Sequence, residues 1–450
     1  MSMDRLFDHA ATHQGVSGTR GWVVAPVRGL DDQATLKGRY ILVADDLTPA
    51  DTAALDLDLV AGFCTASGGP TSHTVQVAHG LGIPAVVAAG PAVLDLAPGT
   101  VCALDGTGGL LHAGLDGPDL RKAIAREDEQ AAHAQARREA ALAAGPAPGG
   151  VGLTTTFIKP EQAGELTRTA AAGIGLLATE LLFLGREHQI TDENAHHQAY
   201  LDLTHAVHGA EITVRTLDIG GDKPVPALNL PHEDNSFLGV RGIRLALRRP
   251  DDLLIPQLRA LYRAAADGAR LRIMFPMVTH LAEFTQAAAL AETVRLHLAA
   301  PKVPLGVMVE VPACALAIDR FVQHVDFLSV GTNDLTQYLL AASRTNPALA
   351  RDIDPLHVAV NRTVAHIADT AGPAGVPVSA CGGLAASPVG AAVLASLGAS
   401  SLTVTLPAIP AVHEALSRLD DTARQSIRDE ALTTGGTGHL TQHITALLGL

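Results

Sequence analysis

The chain has 450 residues, 47% of them apolar and 3% aromatic, enough to bury more than one core and to suggest two or three domains. A formal net charge of -14 argues against a nucleic-acid-binding surface, and no apolar run approaches the ~18 to 20 residues of a membrane span, so neither nucleic acid nor membrane is expected as a partner. Four widely spaced cysteines, Cys64, Cys102, Cys314 and Cys381, fit neither a disulfide framework nor zinc knuckles, and the His- and Asp-containing start MSMDRLFDHA lacks a secretory core, which together point to the cytoplasm.

Residues 40–112 carry short β-like runs, YILVA, VAGFCTA, IPAVVAA and GTVCALDG, spaced by turn residues and one helical segment near Thr74 to Leu81. This reads as a compact α/β unit with a mixed sheet. Within it, GGPTSHT (68–74) puts His73 after two glycines and beside hydroxyls at a helix start. Glycines permit close backbone approach, helix N-terminal N–H groups favour an anion, and imidazole is a nucleophile near neutral pH. An incidental loop histidine is the alternative reading.

Residues 119–144 are rich in Ala, Arg, Glu and Gln without Gly or Pro, which predicts a helix, and GPAPGG (145–150) ends it. A spacer between domains and a packed surface helix both fit this pattern. Beyond Gly150, eight buried β-type runs alternate with helical segments: VGLTTTF, GIGLLAT, ITVRTLD, RIMFPM, LGVMVEV, DFLSVGT, PVSAC and SLTVTL. Near-continuous apolar strands joined by crossover helices predict a closed (β/α)8 barrel, whose chemistry sits at the C-terminal ends of its strands.

Those ends carry unusual residues. Arg215 and Asp218 close the third run, Glu310 interrupts an apolar fifth, Asn333 and Asp334 follow the sixth, and Cys381 ends the seventh. A buried carboxylate is costly unless paired or bound to a cation, so Glu310 is either half of a salt bridge or a metal ligand. Two acidic residues at adjacent strand ends favour an oxygen-ligated hard cation, magnesium or manganese. Arg215, Arg241, Arg244 and Arg344 supply guanidinium groups for a small phosphorylated acid, with surface solvation as the ordinary alternative for any one of them.

From about Tyr40 to Leu416 the chain resembles the phosphoenolpyruvate-utilising enzymes, and most closely Enzyme I of the bacterial sugar phosphotransferase system. The segments carrying the resemblance are GGPTSHTVQVAHGLGIPAVV, TLDIGGDKPVPALNLP, NSFLGVRGIRLALRRP, LRIMFPM, GVMVEVPA and FLSVGTNDLTQYLLAASR. The resemblance implies a swivelling phosphohistidine domain in 1–116, a helical linker in 117–150 acting as hinge, and a phosphoenolpyruvate-binding barrel in 151–450. It implies that His73 carries the phosphoryl group and that Cys381 protonates the leaving enolpyruvate. It further implies that Arg215, Arg241, Asn333 and Arg344 hold phosphoenolpyruvate and that Glu310 and Asp334 bind Mg2+. The implied partners are pyruvate, a phosphoryl-acceptor protein such as HPr, and a second copy of the chain in a homodimer.

The chain departs from the family pattern in four places. The helical subdomain that docks HPr is not expected in the short stretch before Tyr40, GLLATE carries Ala178 where the family has an arginine, Thr156 replaces Asn, and CGGLA has Gly383 in place of Glu. One lost charge-assisted contact costs ~1.5 to 3 kcal/mol in binding. Two readings follow: an active phosphoenolpyruvate-protein phosphotransferase, or a weakened or inactive regulatory protein that binds phosphoenolpyruvate or pyruvate. A dikinase or synthase would need an ATP-binding domain, for which the sequence has no P-loop.

Overall fold

The computed structural model describes the chain apart from residues 1–6, 8–9, 31–37, 49–50, 53–54, 70–71, 146–149, 158–165, 167, 184, 222–224, 226–227, 345, 347–348, 350–351 and 434–435. It divides into two compact units, residues 1–139 with 341–353, and residues 140–340 with 354–450.

The first unit holds eight strands among the described residues: β1 Ala11–Gln14, β2 Val16–Thr19, β3 Trp22–Gly29, β4 Tyr40–Ala44, β5 Val60–Thr65, β6 Ala85–Val87, β7 Val101–Asp105 and β8 Leu110–Ala113. They form one mixed sheet in the order β1-β8-β7-β3-β4-β5-β6-β2. The central β3, β4, β5 and β6 run parallel and the flanking pairs antiparallel. Every residue of β4 and β5 is buried, as expected of strands covered on both faces. Three strands lie before Tyr40, where the sequence reading placed none. Two of them, β1 and β2, are short sheet edges whose partners β8 and β6 lie roughly 70 to 100 residues away, so no local hairpin signal marks them.

Helix Gly117–Ala144 runs without a break through its 28 residues, as its composition predicts. Its first half packs on the sheet: Trp22 Nε1 donates to the Ala123 carbonyl at 3.0 Å, and the Arg126 guanidinium lies 4.1 Å over the Trp22 ring. Val24 N donates to Glu127 Oε2 at 3.1 Å, while burial pushes the Glu127 carboxyl up from its ordinary range. The expected hinge residues 146–149 lie outside the described residues.

The second unit is a closed barrel of parallel strands: β9 Gly152–Phe157, β10 Gly173–Ala178, β11 Glu211–Arg215, β12 Leu271–Phe275, β13 Leu305–Val309, β14 Phe327–Gly331, β15 Val378–Cys381 and β16 Ser401–Val404. All eight expected runs are strands. Closure comes from β16 pairing with β9, where Thr403 faces Thr154 across the ladder. Of the boundaries that differ from the sequence reading, two bear on the site: β11 ends at Arg215, three residues before Asp218, and β13 ends at Val309, so Glu310 is the first residue beyond it. Among the described residues no helix is long and apolar enough to cross a membrane. All four cysteines are free and buried, two in each unit.

Candidate active site

The C-terminal ends of the barrel strands bring six charged side chains together. Arg215 ends β11 and Asp218 follows it; Glu180 sits in the 3-10 turn Thr179–Phe183 after β10. Glu310 follows β13, and Asp334 lies in the first turn of helix Thr332–Leu340 after β14. Arg241 comes from the loop leading to helix Ile243–Arg248 and is 0% exposed.

Arg241 forks onto Asp218, donating from Nη2 to Oδ2 at 2.9 Å and from Nε to Oδ1 at 3.3 Å. Its Nη1 donates to Asp334 Oδ1 at 3.0 Å and to the Tyr338 hydroxyl at 3.3 Å. Tyr338 in turn donates to the Phe237 carbonyl at 2.6 Å. Arg215 pairs through Nη2 with Glu180 Oε1 at 2.5 Å, and its Nη1 lies 3.4 Å from Asp218 Oδ2. Asp218 therefore bridges the two arginines. Burial alone would weaken the charge on both guanidinium groups, but the surrounding carboxylates reverse this and raise their pKa.

Two arginines face four carboxylates, Glu180, Asp218, Glu310 and Asp334, and all six residues are buried. The formal excess is two negative charges. Burial first, then the Asp334 and Asp218 carboxylates, pushes Glu310 up to about 8, so the cluster reaches its full formal excess of two only when Glu310 gives up its proton, as a bound cation would require. Glu310 Oε1 accepts from Met277 N at 2.7 Å, and Met277 takes a left-handed φ of 57°, unusual for a residue with a side chain, just past β12. Such a conformation costs on the order of 1 kcal/mol or more and recurs at functional sites.

Among the described residues, no three His, Cys, Asp or Glu side chains form a metal cage by themselves. The donor set nevertheless suits a cation that needs few protein ligands. Magnesium keeps several waters and is bound through one or two carboxylates plus substrate oxygens, and a divalent cation matches the excess charge.

The remaining expected residues fall as follows. Asn333 Oδ1 accepts from Gly383 N at 3.0 Å, which fixes the amide and leaves its NH2 as a donor. Gly382 takes φ 104°, and a Cβ there would lie 2.3 Å from Thr332 Oγ1, so the turn beside Asn333 requires glycine. Cys381, the last residue of β15, donates to the Val330 carbonyl at 3.5 Å. Burial pushes its thiol up to about 12, so it is protonated at neutral pH. Arg344 is buried in segment 341–353, which belongs to the first unit. Arg244 stays outside the cluster, donating to Thr279 Oγ1 and the Gly239 carbonyl. Ala178 ends β10 directly beside Arg215 in the ladder.

His73 opens helix His73–Leu81 in the first unit; its side chain, Pro70 and Thr71 lie outside the described residues, as do Asp222 and Lys223 of GGDK. Thr74, the next residue, donates to Asp46 Oδ1 at 3.0 Å, and Leu47 N donates to the same oxygen at 2.8 Å. The helix start carrying His73 is thereby tied to the loop after β4.

Sequence reasoning gave no role to Glu180, Tyr338 or the polar chain behind Arg215. Thr179 donates to the Arg215 carbonyl at 2.9 Å and accepts from Gln257 Nε2 at 3.1 Å. Gln257 also donates to the Tyr200 hydroxyl at 3.1 Å and accepts from Leu217 N at 3.0 Å. His196 Nε2 lies 2.9 Å from the Ile190 carbonyl and must donate to it, which leaves Nδ1 to accept from Tyr200 at 3.0 Å. Every donor in the chain is satisfied, and it holds the main chain on both sides of Thr216.

Burial lowers the His196 pKa to about 4 from an ordinary 6.5. The unfolded chain therefore binds the extra proton first as pH falls, and stability drops between pH 6.5 and 4 by about 3 kcal/mol. Urea unfolding of wild type and His196→Gln at pH 7 and pH 4.5 checks this: most of the wild-type loss is expected to be missing in the variant, and equal losses would refute the assignment.

Comparisons with known proteins find matches to both parts of the chain. Residues 149–421 match the family described as PEP-utilising enzyme, PEP-binding domain, and residues 36–109 match PEP-utilising enzyme, mobile domain. The chain is 48% identical over 399 residues to a multiphosphoryl transfer protein of Xanthomonas campestris pv. campestris and 44% identical over 401 residues to one of Rhodobacter capsulatus. These alignments cover 87% and 86% of the chain. It spans about half of each, 47% of their length. It is also 38% identical over 408 residues to the phosphoenolpyruvate-protein phosphotransferase of Haloferax volcanii, covering 89% of this chain and 71% of that one.

Proposed function

The chain belongs to the family of PEP-utilising enzymes, and from that membership we propose that it is a phosphoenolpyruvate-protein phosphotransferase that phosphorylates its own His73. The observation that carries the reading is the buried cluster of two arginines and four carboxylates at the strand ends, with its excess of two negative charges.

In this reading Arg215, Arg241 and Arg344 bind the phosphate and carboxylate of phosphoenolpyruvate, and the free NH2 of Asn333 donates to a phosphoryl oxygen. Glu310 and Asp334 would hold Mg2+, which when bound neutralises charge on the phosphoryl oxygens and orients them. The P–O bond of phosphoenolpyruvate breaks as a bond forms between phosphorus and a ring nitrogen of His73. The enolate left behind takes a proton at C3 from the Cys381 thiol, giving pyruvate, and the thiolate regains a proton from solvent. A thiol held near 12 is protonated at rest and a weak enough acid to give its proton to carbon only when the enolate forms. His73 then passes the phosphoryl group to an acceptor protein, HPr or one like it, and the working form is a cytoplasmic homodimer.

Incubation of the purified full chain with phosphorus-labelled phosphoenolpyruvate and magnesium tests the reading. Label on the protein with pyruvate release is the expected result; neither, despite measurable phosphoenolpyruvate binding, would overturn it. That second outcome would favour a regulatory protein that senses phosphoenolpyruvate or pyruvate, a reading supported by Ala178 standing beside Arg215 where the family carries an arginine.

A further inference from the structure

The lumen of the barrel is layered. Met274, Met308, Phe327 and Cys381, with Leu176 against them, form an apolar layer of their own. Arg215 Nη1 reaches this layer from the strand-end cluster, 3.8 Å from Met308 Sδ. At the opposite end, where the strands begin, large branched side chains ordinarily complete the packing of such a barrel. Here Thr154, Gly175, Thr213 and Thr403 instead line a cavity of about 200 Å³, together with Arg272 and Glu211.

Two glycines keep that end open. A Cβ at Gly175 would lie 2.1 Å from Thr154 Oγ1 and 2.2 Å from Thr403 Oγ1, two hydroxyls that are 2.9 Å apart. A Cβ at Gly306 would lie 2.6 Å from the Phe327 ring, over which the Arg272 guanidinium stacks at 3.8 Å. Arg272 is thus held in place by the ring, and its contact with Glu211 is a loose 3.6 Å. Thr213 is the most informative of the group. It is 5% exposed, lines the cavity, and makes no side-chain hydrogen bond among the described residues. Its oxygen is not among the buried atoms that lack a partner, so it meets solvent in the cavity, where a ligand oxygen would take the place of water.

We propose that this end of the barrel is a second binding pocket, separate from the phosphoryl-transfer site, for a small hydroxylated anion. Its size is below the ~300 to 1,000 Å³ of pockets for larger metabolites, which limits the ligand to a three- or four-carbon hydroxy acid or its phosphate ester. The Arg272 fork takes the acid group, and Thr213, the Thr154 and Thr403 pair and Glu211 take the hydroxyls.

Isothermal titration of the full chain with glycerate, glycerol 3-phosphate, inorganic phosphate and glycerol tests the proposal, and as a binding measurement it does not depend on phosphoryl transfer. One of the hydroxylated anions is expected to bind at a site that phosphoenolpyruvate does not compete for, and glycerol is expected not to bind. A preference between glycerate and glycerol 3-phosphate identifies the acid group. Arg272→Gln is expected to weaken binding at least about tenfold, and the isosteric Thr213→Val about three- to tenfold with the fold preserved. Binding unaffected by both variants but lost in Glu310→Gln would place the ligand in the strand-end cluster and overturn the proposal. Absence of binding at millimolar concentration would overturn it too, leaving the cavity a solvated mouth.

Discussion

In His73→Ala, label transfer from phosphoenolpyruvate is expected to vanish and pyruvate release to fall by at least ~10³-fold, because no other group replaces the atom that bonds to phosphorus. Phosphoenolpyruvate affinity is expected to stay within a factor of two of wild type, since His73 is not among the proposed binding groups Arg215, Arg241, Asn333 and Arg344, the first three of which belong to the barrel unit. The label in wild type should be acid-labile and stable in base, as a phosphoramidate is. Label persisting in the variant would move the nucleophile elsewhere; loss of both label and affinity would mean that the substitution damaged the fold and not one step.

Arg241→Leu should produce the other large effect. The side chain is fully buried and is the shared partner of Asp218 and Asp334, with Glu310 nearby, so its removal strands buried negative charge. Breaking such a set costs roughly 3 to 5 kcal/mol, a large part of the stability of an ordinary domain. Urea unfolding should show this loss, and phosphoryl transfer should become undetectable. Arg241→Lys should recover little, because an ammonium cannot reproduce the two parallel bonds to Asp218. A leucine variant as stable as wild type would show that the carboxylates discharge by another route.

The barrel was legible because strands such as LGVMV and FLSVG are buried on both faces and read as apolar runs, as YILVA does in the sheet of the first unit. The edge strands β1 and β2 were not, since ATHQ and VSGT carry no alternation and are specified by partners far along the chain. The same distance problem hid the pairing within the cluster, although five of its six residues, all but Glu180, stand out in the sequence. Glu310 stood out as an acid amid VMVEVP, and the logic applies equally to Glu180 in ATELLF, which follows an apolar strand too. What sequence alone could not supply was pairing: Arg241 meets Asp334 across 93 residues and Tyr338 across 97, contacts that exist only once the barrel has closed. The His196–Tyr200–Gln257 chain was invisible for a related reason, because isolated polar residues on amphipathic helices look like solvent-facing ones.

The four buried thiols give the molecule its own stopwatch. Cys64 and Cys314 are raised to about 12, Cys102 to about 11 and Cys381 to about 12, each chiefly by burial, so an alkylating reagent finds almost no thiolate in the native protein. Modification must wait for opening, and the rate at which each cysteine acquires a tag reports how often its surroundings unfold. With Cys64 and Cys102 in one unit and Cys314 and Cys381 in the other, peptide mapping after a pulse of reagent would time the breathing of the two units independently, without any engineered probe.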